Sequence, residues 1–523
     1  MRLHGRILRA VALAGAALLA TGVLVGCDIS TEPVPSDRAT GSRAPSATGA
    51  GEGSPGLPAA LTSQRPDWKR CKAPEGGTDP GSAWRCASVD VPLDYAKPAG
   101  KTIGIALIRK EARDQGRRLG SMLFNFGGPG GSGVGILPRA ASSYEKLNSR
   151  YDLVGFDPRG VVASSGVRCR TDEEQDASHR TVDMTPDTPA EEAAFVKDGA
   201  AFGASCERRS GALLPHVGTS NAARDLDLIR QVLGDTKLSY FGISYGTELG
   251  ATYAHLFPAN VGRTVLDAVV DPTADGVGHA RNQATGFQRA LENYLKGRGQ
   301  DPVEGAERIA RLLQRIDGSP LPTDSGRRLN ESLAITGIVT PLYSESSWPS
   351  LTAALEEAEK SGTGNGLLQL ADAYNGRDAE GRYDTQSHSQ RAISCADTKA
   401  RPTVDEARAL LPEFRKLSPV FGPFLAWDTA GWCAQWPVDG EHDTPEASAP
   451  GAGPILVIGT TGDPATPYEG AQKMADELGE GVGIMVTNKG EGHGAYGESV
   501  CVTSTVDEYF LDGKVPADGK TCS

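Results

Sequence analysis

Seven short runs of apolar and β-branched residues punctuate this chain, at 102–108, 121–126, 151–156, 237–243, 264–270, 454–459 and 483–487. Several are apolar at nearly every position rather than at alternate ones, as a strand buried on both faces of a parallel sheet requires. Between them lie segments with helical period. In 220–233, Ala223, Leu226, Ile229, Val232 and Leu233 recur at that spacing behind Thr219 or Ser220 as N-cap, and 247–256 follows the fourth run in the same way. Strand and helix in alternation predict an α/β fold, a mostly parallel sheet joined by right-handed crossovers. The alternation lapses after Asp271 and resumes at Pro454. The intervening stretch is long enough to be a domain of its own, and 304–316 and 351–360 have helical pattern. We read 273–445 as a large, mainly helical cap inserted into a core made of 67–272 and 446–523.

The N-terminus adds an export route. Arg2, Arg6 and Arg9 precede an uncharged, mostly apolar run at 10–25, too short to span a membrane but suited to a signal peptide. The run ends in Leu24-Val25-Gly26-Cys27, the pattern of a bacterial lipobox, so residues 1–26 are expected to be removed and Cys27 lipidated. Acylation there would anchor the chain to the outer side of the cytoplasmic membrane. Residues 27–66 are rich in Ser, Thr, Pro, Gly and Ala and read as a flexible tether.

The charge balance excludes one class of partner. With 53 Lys+Arg against 66 Asp+Glu the formal charge is −13, and losing the three arginines of the signal deepens it to −16. A nucleic-acid binder needs a basic face, so none is expected to bind here. With Cys27 set aside, eight of the nine cysteines remain. In an exported chain an even number favours disulfides. Many connectivities are open; nearest-neighbour pairing is the simplest, closing loops of about 15 to 38 residues at about 3–4 kcal/mol each. No C-x-x-C or H-E-x-x-H spacing occurs, so no metal site is expected.

The chemistry is carried by three glycine-flanked segments. Gly242-Ile243-Ser244-Tyr245-Gly246 is G-x-S-x-G between a strand and a helix. In that setting the turn is sharp enough to expose the serine hydroxyl at the sheet edge. A serine needs a base, and in this arrangement the chain order is serine, acid, histidine. The run ending Gly462-Asp463 supplies the acid, and Gly492-His493-Gly494 after the next run supplies the histidine, which has no competitor beyond Asp463. The third segment, Asn125-Phe126-Gly127-Gly128-Pro129-Gly130-Gly131-Ser132-Gly133, ends another strand. It suits an oxyanion hole, with donors expected at Tyr245 and at Gly127 or Gly128. It also spells G-x-G-x-x-G through Gly128, Gly130 and Gly133, with Asp157 as the acid a dinucleotide site would need. Pro129 removes a phosphate-binding N–H from that loop and an exported protein has little use for a soluble nicotinamide, so no cofactor is expected.

These segments resemble the α/β-hydrolase peptidases related to proline iminopeptidase, in particular the secreted tripeptidyl aminopeptidases and mycelium-associated lipoprotein proteinases of actinomycetes. Further matching stretches are Val91-Pro92-Leu93-Asp94-Tyr95, Tyr151-Asp152-Leu153-Val154-Gly155-Phe156-Asp157-Pro158-Arg159-Gly160, Ile393-Ser394-Cys395-Ala396-Asp397 and Asp463-Pro464-Ala465-Thr466-Pro467. The resemblance implies an α/β-hydrolase fold and a Ser/Asp/His triad at Ser244, Asp463 and His493. It also implies release of short peptides from free N-termini of peptide or protein substrates. Asn125-Phe126 stands where proline iminopeptidases have a histidine before the glycines, which favours the tripeptidyl branch. Asp397 is a candidate to meet the substrate ammonium, against the plainer reading of a surface Asp. Arg159 is expected to support its loop rather than touch substrate. An esterase or lipase using the same triad, or a non-catalytic peptide-binding lipoprotein, are the competing functions.

Overall fold

The computed structural model describes residues 56–73 and 78–523; the signal segment, Cys27 and most of the expected tether lie outside the described residues. Strands β1 (Lys69–Arg70), β2 (Trp84–Pro92), β3 (Thr102–Lys110), β4 (Gly120–Asn125), β5 (Tyr151–Phe156), β6 (Leu238–Ile243) and β7 (Val261–Asp267) come first in the chain. A two-stranded ribbon, β8 (Leu321–Pro322) and β9 (Arg328–Leu329), stands apart. Then β10 (Ile455–Gly462), β11 (Gly483–Glu491) and β12 (Lys520–Cys522) complete a ten-stranded sheet of order β1-β2-β3-β5-β4-β6-β7-β10-β11-β12. Pairs from β5 to β12 are parallel, while β1, β2 and β3 run antiparallel to their neighbours. All seven apolar runs are strands of this α/β-hydrolase sheet.

Three strands of the sheet are not among the runs, the short β1 and β12 and the nine-residue β2. In β2, Ser88 and Asp90 interrupt the apolar residues, because an antiparallel strand near the sheet edge keeps one face polar. Deeper in the sheet the two-residue period sorts neighbours to opposite faces. Leu123 and Tyr240 pack with Leu226 and Ile229 of the helix Thr219–Leu233 on one side. Met122, Phe124 and Phe241 pack with Val506 and Phe510 of the helix Val500–Asp512 on the other.

Between β7 and β10 the chain is mainly helical and has its own apolar core, in which Leu291, Leu295, Ile309, Leu313, Ile338 and Phe414 are buried together. The patterned segments 304–316 and 351–360 are the helices Pro302–Gly318 and Trp348–Lys360. This core also recruits a piece of chain from between β5 and β6. Phe195 of the helix Pro189–Ser210 meets Trp427 edge-on, with ring centroids 5.9 Å apart. That helix escaped notice because its buried face is narrow, built on Phe195, Phe202, Gly203, Ser205 and Cys206.

The disulfides are the four nearest-neighbour pairs, Cys71–Cys86, Cys169–Cys206, Cys395–Cys433 and Cys501–Cys522. The fold begins earlier than the expected end of the tether at residue 66. Ala59–Thr62 is a helical turn that buries Leu61, and the Gln64 amide donates to the Asp90 carbonyl while accepting from the Asp90 N–H, both at 2.8 Å. One leucine and one glutamine were too little apolar signal to separate this stretch from the low-complexity sequence before it. Among the described residues no helix is long and apolar enough to cross a membrane.

Candidate active site

Ser244 follows β6 directly and caps the helix Tyr245–Leu256, with φ 58° and ψ −128°. A non-glycine residue holds such a conformation only where its surroundings over-determine it. Here the Ser244 N–H donates to the Asp267 carbonyl at 3.1 Å, and the Thr247 hydroxyl donates to the Ser244 carbonyl at 2.6 Å. The flanking glycine is sterically required, since a Cβ on Gly246 would lie 2.5 Å from the Asn125 carbonyl oxygen.

Asp463 and His493 leave the ends of β10 and β11, at the same carboxyl edge of the sheet. His493 Nδ1 lies 2.9 and 3.0 Å from the two Asp463 oxygens. Asp463 is fully buried and also accepts from the Ala465 and Thr466 N–H groups and the Thr466 hydroxyl, which fixes its orientation. Burial works against a charged His493, but the charge and hydrogen bond of Asp463, with a contribution from Asp267, outweigh it and hold the imidazole above its ordinary range. Ser244 and His493 both line a cavity of about 780 Å³ together with Phe126, Gly128 and Tyr245.

Sequence reasoning missed two supports of the histidine. Asp267 ends β7, and its buried carboxylate accepts from the Ala495 and Tyr496 N–H groups just beyond His493. From the helical region, the Tyr343 carbonyl accepts the His493 N–H at 2.9 Å, and the Tyr343 ring stands edge-on to the imidazole at 5.3 Å. Neither position carries a motif.

The glycine-rich loop after β4 abuts the serine turn. Gly127 has φ +84°, and a Cβ there would fall 2.6 Å from the Ile243 carbonyl oxygen and 2.7 Å from the Ser244 Cβ. Of the two expected donors, the Gly127 N–H already donates to Asn125 Oδ1 at 2.9 Å. The Gly128 N–H has no partner among the described residues, and the Tyr245 N–H stands in the first turn of its helix, where intrahelical acceptors are lacking. Asp157 is wholly buried and accepts from the Ser132 hydroxyl and the Val134 N–H, so it closes this loop onto β5 instead of facing a ligand. Arg159 is equally buried, bidentate on Asp225 and donating to the carbonyls of Pro92, Leu93 and His216, as a loop support should be.

Asp397 is not a surface residue. It is 5% exposed at the end of the helix Gln386–Asp397, on the cavity wall. Its two oxygens accept from the Thr219 N–H and hydroxyl, both at 2.7 Å, and Thr219 Oγ1 in turn lies 2.6 Å from the Tyr245 hydroxyl. Burial pushes its carboxyl well up. Two further acids on the wall were not foreseen. Glu248, one helical turn after Ser244, and Asp428, in the helix Gly422–Cys433, make no hydrogen bond or ion pair with the described residues. Burial raises both, with Asp397 adding to the rise at Glu248 and Arg391 opposing it at Asp428, which reaches about 6. The signal for Glu248 was available, since residues four apart share a helix face.

A strained serine between strand and helix, with an acid and a hydrogen-bonded histidine at the carboxyl edge of one parallel sheet, defines a serine hydrolase of the α/β-hydrolase fold. Residues 418–522 match the family model described as TAP-like protein. Over 483 residues the chain is 35% identical to the serine protease Hip1 of Mycobacterium tuberculosis, covering 87% of this chain and 90% of that one. It is 35% identical over 494 residues to the carboxylesterase B of the same organism, covering 91% and 92%. It is 32% identical over 482 residues to the tripeptidyl aminopeptidase of Streptomyces lividans, covering 87% and 86%. The chain belongs to this TAP-like family of serine hydrolases.

Proposed function

We propose that this protein is a serine exopeptidase, held outside the cytoplasmic membrane by lipid on Cys27, that releases short peptides, principally tripeptides, from free N-termini. The observation that carries the reading is the Asp463–His493 pair sharing with Ser244 a cavity roofed by the helical region, which suits a short peptide end better than an extended chain. His493 takes the Ser244 proton as Oγ attacks the scissile carbonyl, and Asp463 stabilises the imidazolium. The N–H groups of Tyr245 and Gly128 receive the oxyanion. When the C–N bond breaks, His493 returns the proton to the leaving amine, and water then resolves the acyl-enzyme by the same route. With both Asp397 oxygens occupied by Thr219, we assign the substrate ammonium to Asp428, a roof carboxyl on the cavity wall with no hydrogen-bond partner among the described residues.

The deciding experiment is a panel of aminoacyl, dipeptidyl and tripeptidyl chromogenic amides, free and N-acetylated. Cleavage of the free tripeptidyl amides with loss of the acetylated ones is expected; equal cleavage of the acetylated set overturns the exopeptidase reading. Because a relative named carboxylesterase B is as similar as the protease, esters belong in the panel. Turnover of esters with no turnover of any amide would assign the site to esterase chemistry. For the anchor, Cys27→Ala should release the protein into the medium, and undiminished membrane association would remove the lipidation reading.

A further inference from the structure

We infer that Glu248, backed by Asp397, forms the subsite for the side chain of the residue whose carbonyl Ser244 attacks, and that this subsite selects a basic side chain, arginine or lysine. The inference deepens the exopeptidase reading and rests on it.

Three observations converge on this corner of the cavity. The first is position. Ser244 caps the helix on which Glu248 sits, so at about 1.5 Å rise per residue Glu248 lies about 6 Å along the axis from the nucleophile. In an extended tripeptide at about 3.3 Å per residue, the ammonium lies about 7 Å or more from the Cα of the acyl residue. A group one helical turn from Ser244 is therefore placed to meet the acyl residue's own side chain, leaving the ammonium to a more distant acid.

The second is the lack of a partner. The Glu248 carboxyl lines the cavity, is part-buried there, and accepts no hydrogen bond from the described residues. A carboxylate kept only for structure is normally hydrogen-bonded when enclosed. The neighbouring acids here illustrate the contrast, because Asp397, Asp267 and Asp463 each accept at least two hydrogen bonds.

The third is charge. No Lys or Arg among the described residues forms an ion pair with Glu248 or Asp397. The charges that bear on them are themselves acidic, Asp397 on Glu248 and Glu441 on Asp397. The corner thus holds two carboxyls that no wall cation ion-pairs and that burial keeps from ionising, and a guanidinium or ammonium at the end of an apolar stem supplies the missing counter-charge. Tyr245 and Trp432 line the same cavity and offer surface for such a stem.

The test uses free tripeptidyl aminomethylcoumarins that differ only at the acyl residue: arginine, lysine or norleucine. Each is paired with its N-acetylated form. The wild-type protein is expected to favour arginine and lysine over norleucine in kcat/KM by about 10- to 100-fold, the discrimination of a charge-assisted contact. Glu248→Gln should bring that ratio to about one and Glu248→Asp should restore part of it. Taking the ratio within one variant cancels any general loss, and melting curves with fluorophosphonate labelling of Ser244 report folding. If Glu248→Gln does not fold, Asp397→Asn is read in the same way, a fall in its ratio supporting the subsite. A wild-type protein indifferent to the basic side chain overturns the proposal, as does an undiminished ratio in Glu248→Gln. A Glu248→Gln variant that instead loses discrimination of free from acetylated substrates, with the side-chain preference intact, shows that Glu248 reads the ammonium, and the proposal falls. Failure of the exopeptidase reading looks different: acetylated and free substrates are then cleaved alike in the wild-type protein, whatever the acyl residue.

Discussion

The two sides of the cavity treat their polar groups in opposite ways. On the sheet side, Asp463, Asp267 and Asp157 are buried and each accepts two or more hydrogen bonds from fixed backbone or side-chain donors. On the helical side, Asp428 has no hydrogen-bond partner among the described residues and Arg391 leaves its Nε unbonded; on the same helix as Arg391, but off the cavity lining, neither ring nitrogen of the buried His388 is paired. Burial drives His388 down to about 4, so it stays neutral where it sits. Saturated hydrogen bonding holds reacting groups in one geometry before substrate arrives. Unpartnered polar groups cost stability and are kept where a ligand completes them. Under the proposed function, the difference separates a wall for bond making from a wall for recognition. Glu248 belongs to the sheet side by its helix and to the recognition side by its lack of partners.

The largest test of that division is Ser244→Ala, expected to lower turnover by about 10⁴–10⁶ with the fold retained. Full amidase activity in that variant would place the chemistry elsewhere. Asp463→Asn comes next. It should lower kcat by about 10³–10⁴, and it should move the pH profile. In the wild-type protein the base must be neutral and its pKa is raised, so activity is lost as pH falls through a value above the ordinary 6.5. With the Asp463 charge gone, burial dominates over the remaining pull of Asp267, and the acid limb should shift to below 6.5. A profile that does not move would mean that Asp463 does not set the histidine's protonation.

How much of this was legible depends on the same division. Strands such as β4 and β5, buried at every position, announce themselves as continuous apolar runs, and the three candidate residues Ser244, Asp463 and His493 follow the runs β6, β10 and β11 beside glycines. Asp267 was hidden because an aspartate closing an apolar strand has no flanking glycine or proline to mark it. Tyr343 and Asp428 were hidden for a different reason. Helix period tells which face of each helix is apolar, but not which helices meet over the sheet, so a polar residue on the cap wall looks like any solvated charge. Asp397 illustrates this: from sequence it stood between an ammonium ligand and a plain surface residue, whereas it is bonded to Thr219 and 5% exposed.

The recognition wall is also stapled. Cys395–Cys433 joins the helices Gln386–Asp397 and Gly422–Cys433, closing a sequence separation of 38. Replacing both cysteines by serine should cost about 4 kcal/mol in the chain-entropy model, read as a lower denaturation midpoint. The loss should fall on substrate binding before it falls on labelling of Ser244 by a small fluorophosphonate, since the sheet side does not depend on that bond. Equal loss of both would show that the two walls are not separable.

The smallest expected effect is the most diagnostic of the helical wall. Asp428→Asn should raise KM for free-N-terminus tripeptidyl amides by about tenfold, the size of one charge-assisted hydrogen bond, with kcat moving much less. The pH dependence gives an independent reading. Burial lifts the Asp428 carboxyl to about 6 despite the pull of Arg391, so it is ionised above that pH and neutral below it. KM for free substrates should therefore rise as pH falls through about 6, and the rise should be absent in Asp428→Asn. A kcat change caused by His493 follows a different limb and disappears with Asp463→Asn instead. If both variants altered the same limb, Asp428 would be acting through the catalytic histidine, and the separation of chemistry from recognition would fail at the residue where it is drawn most sharply.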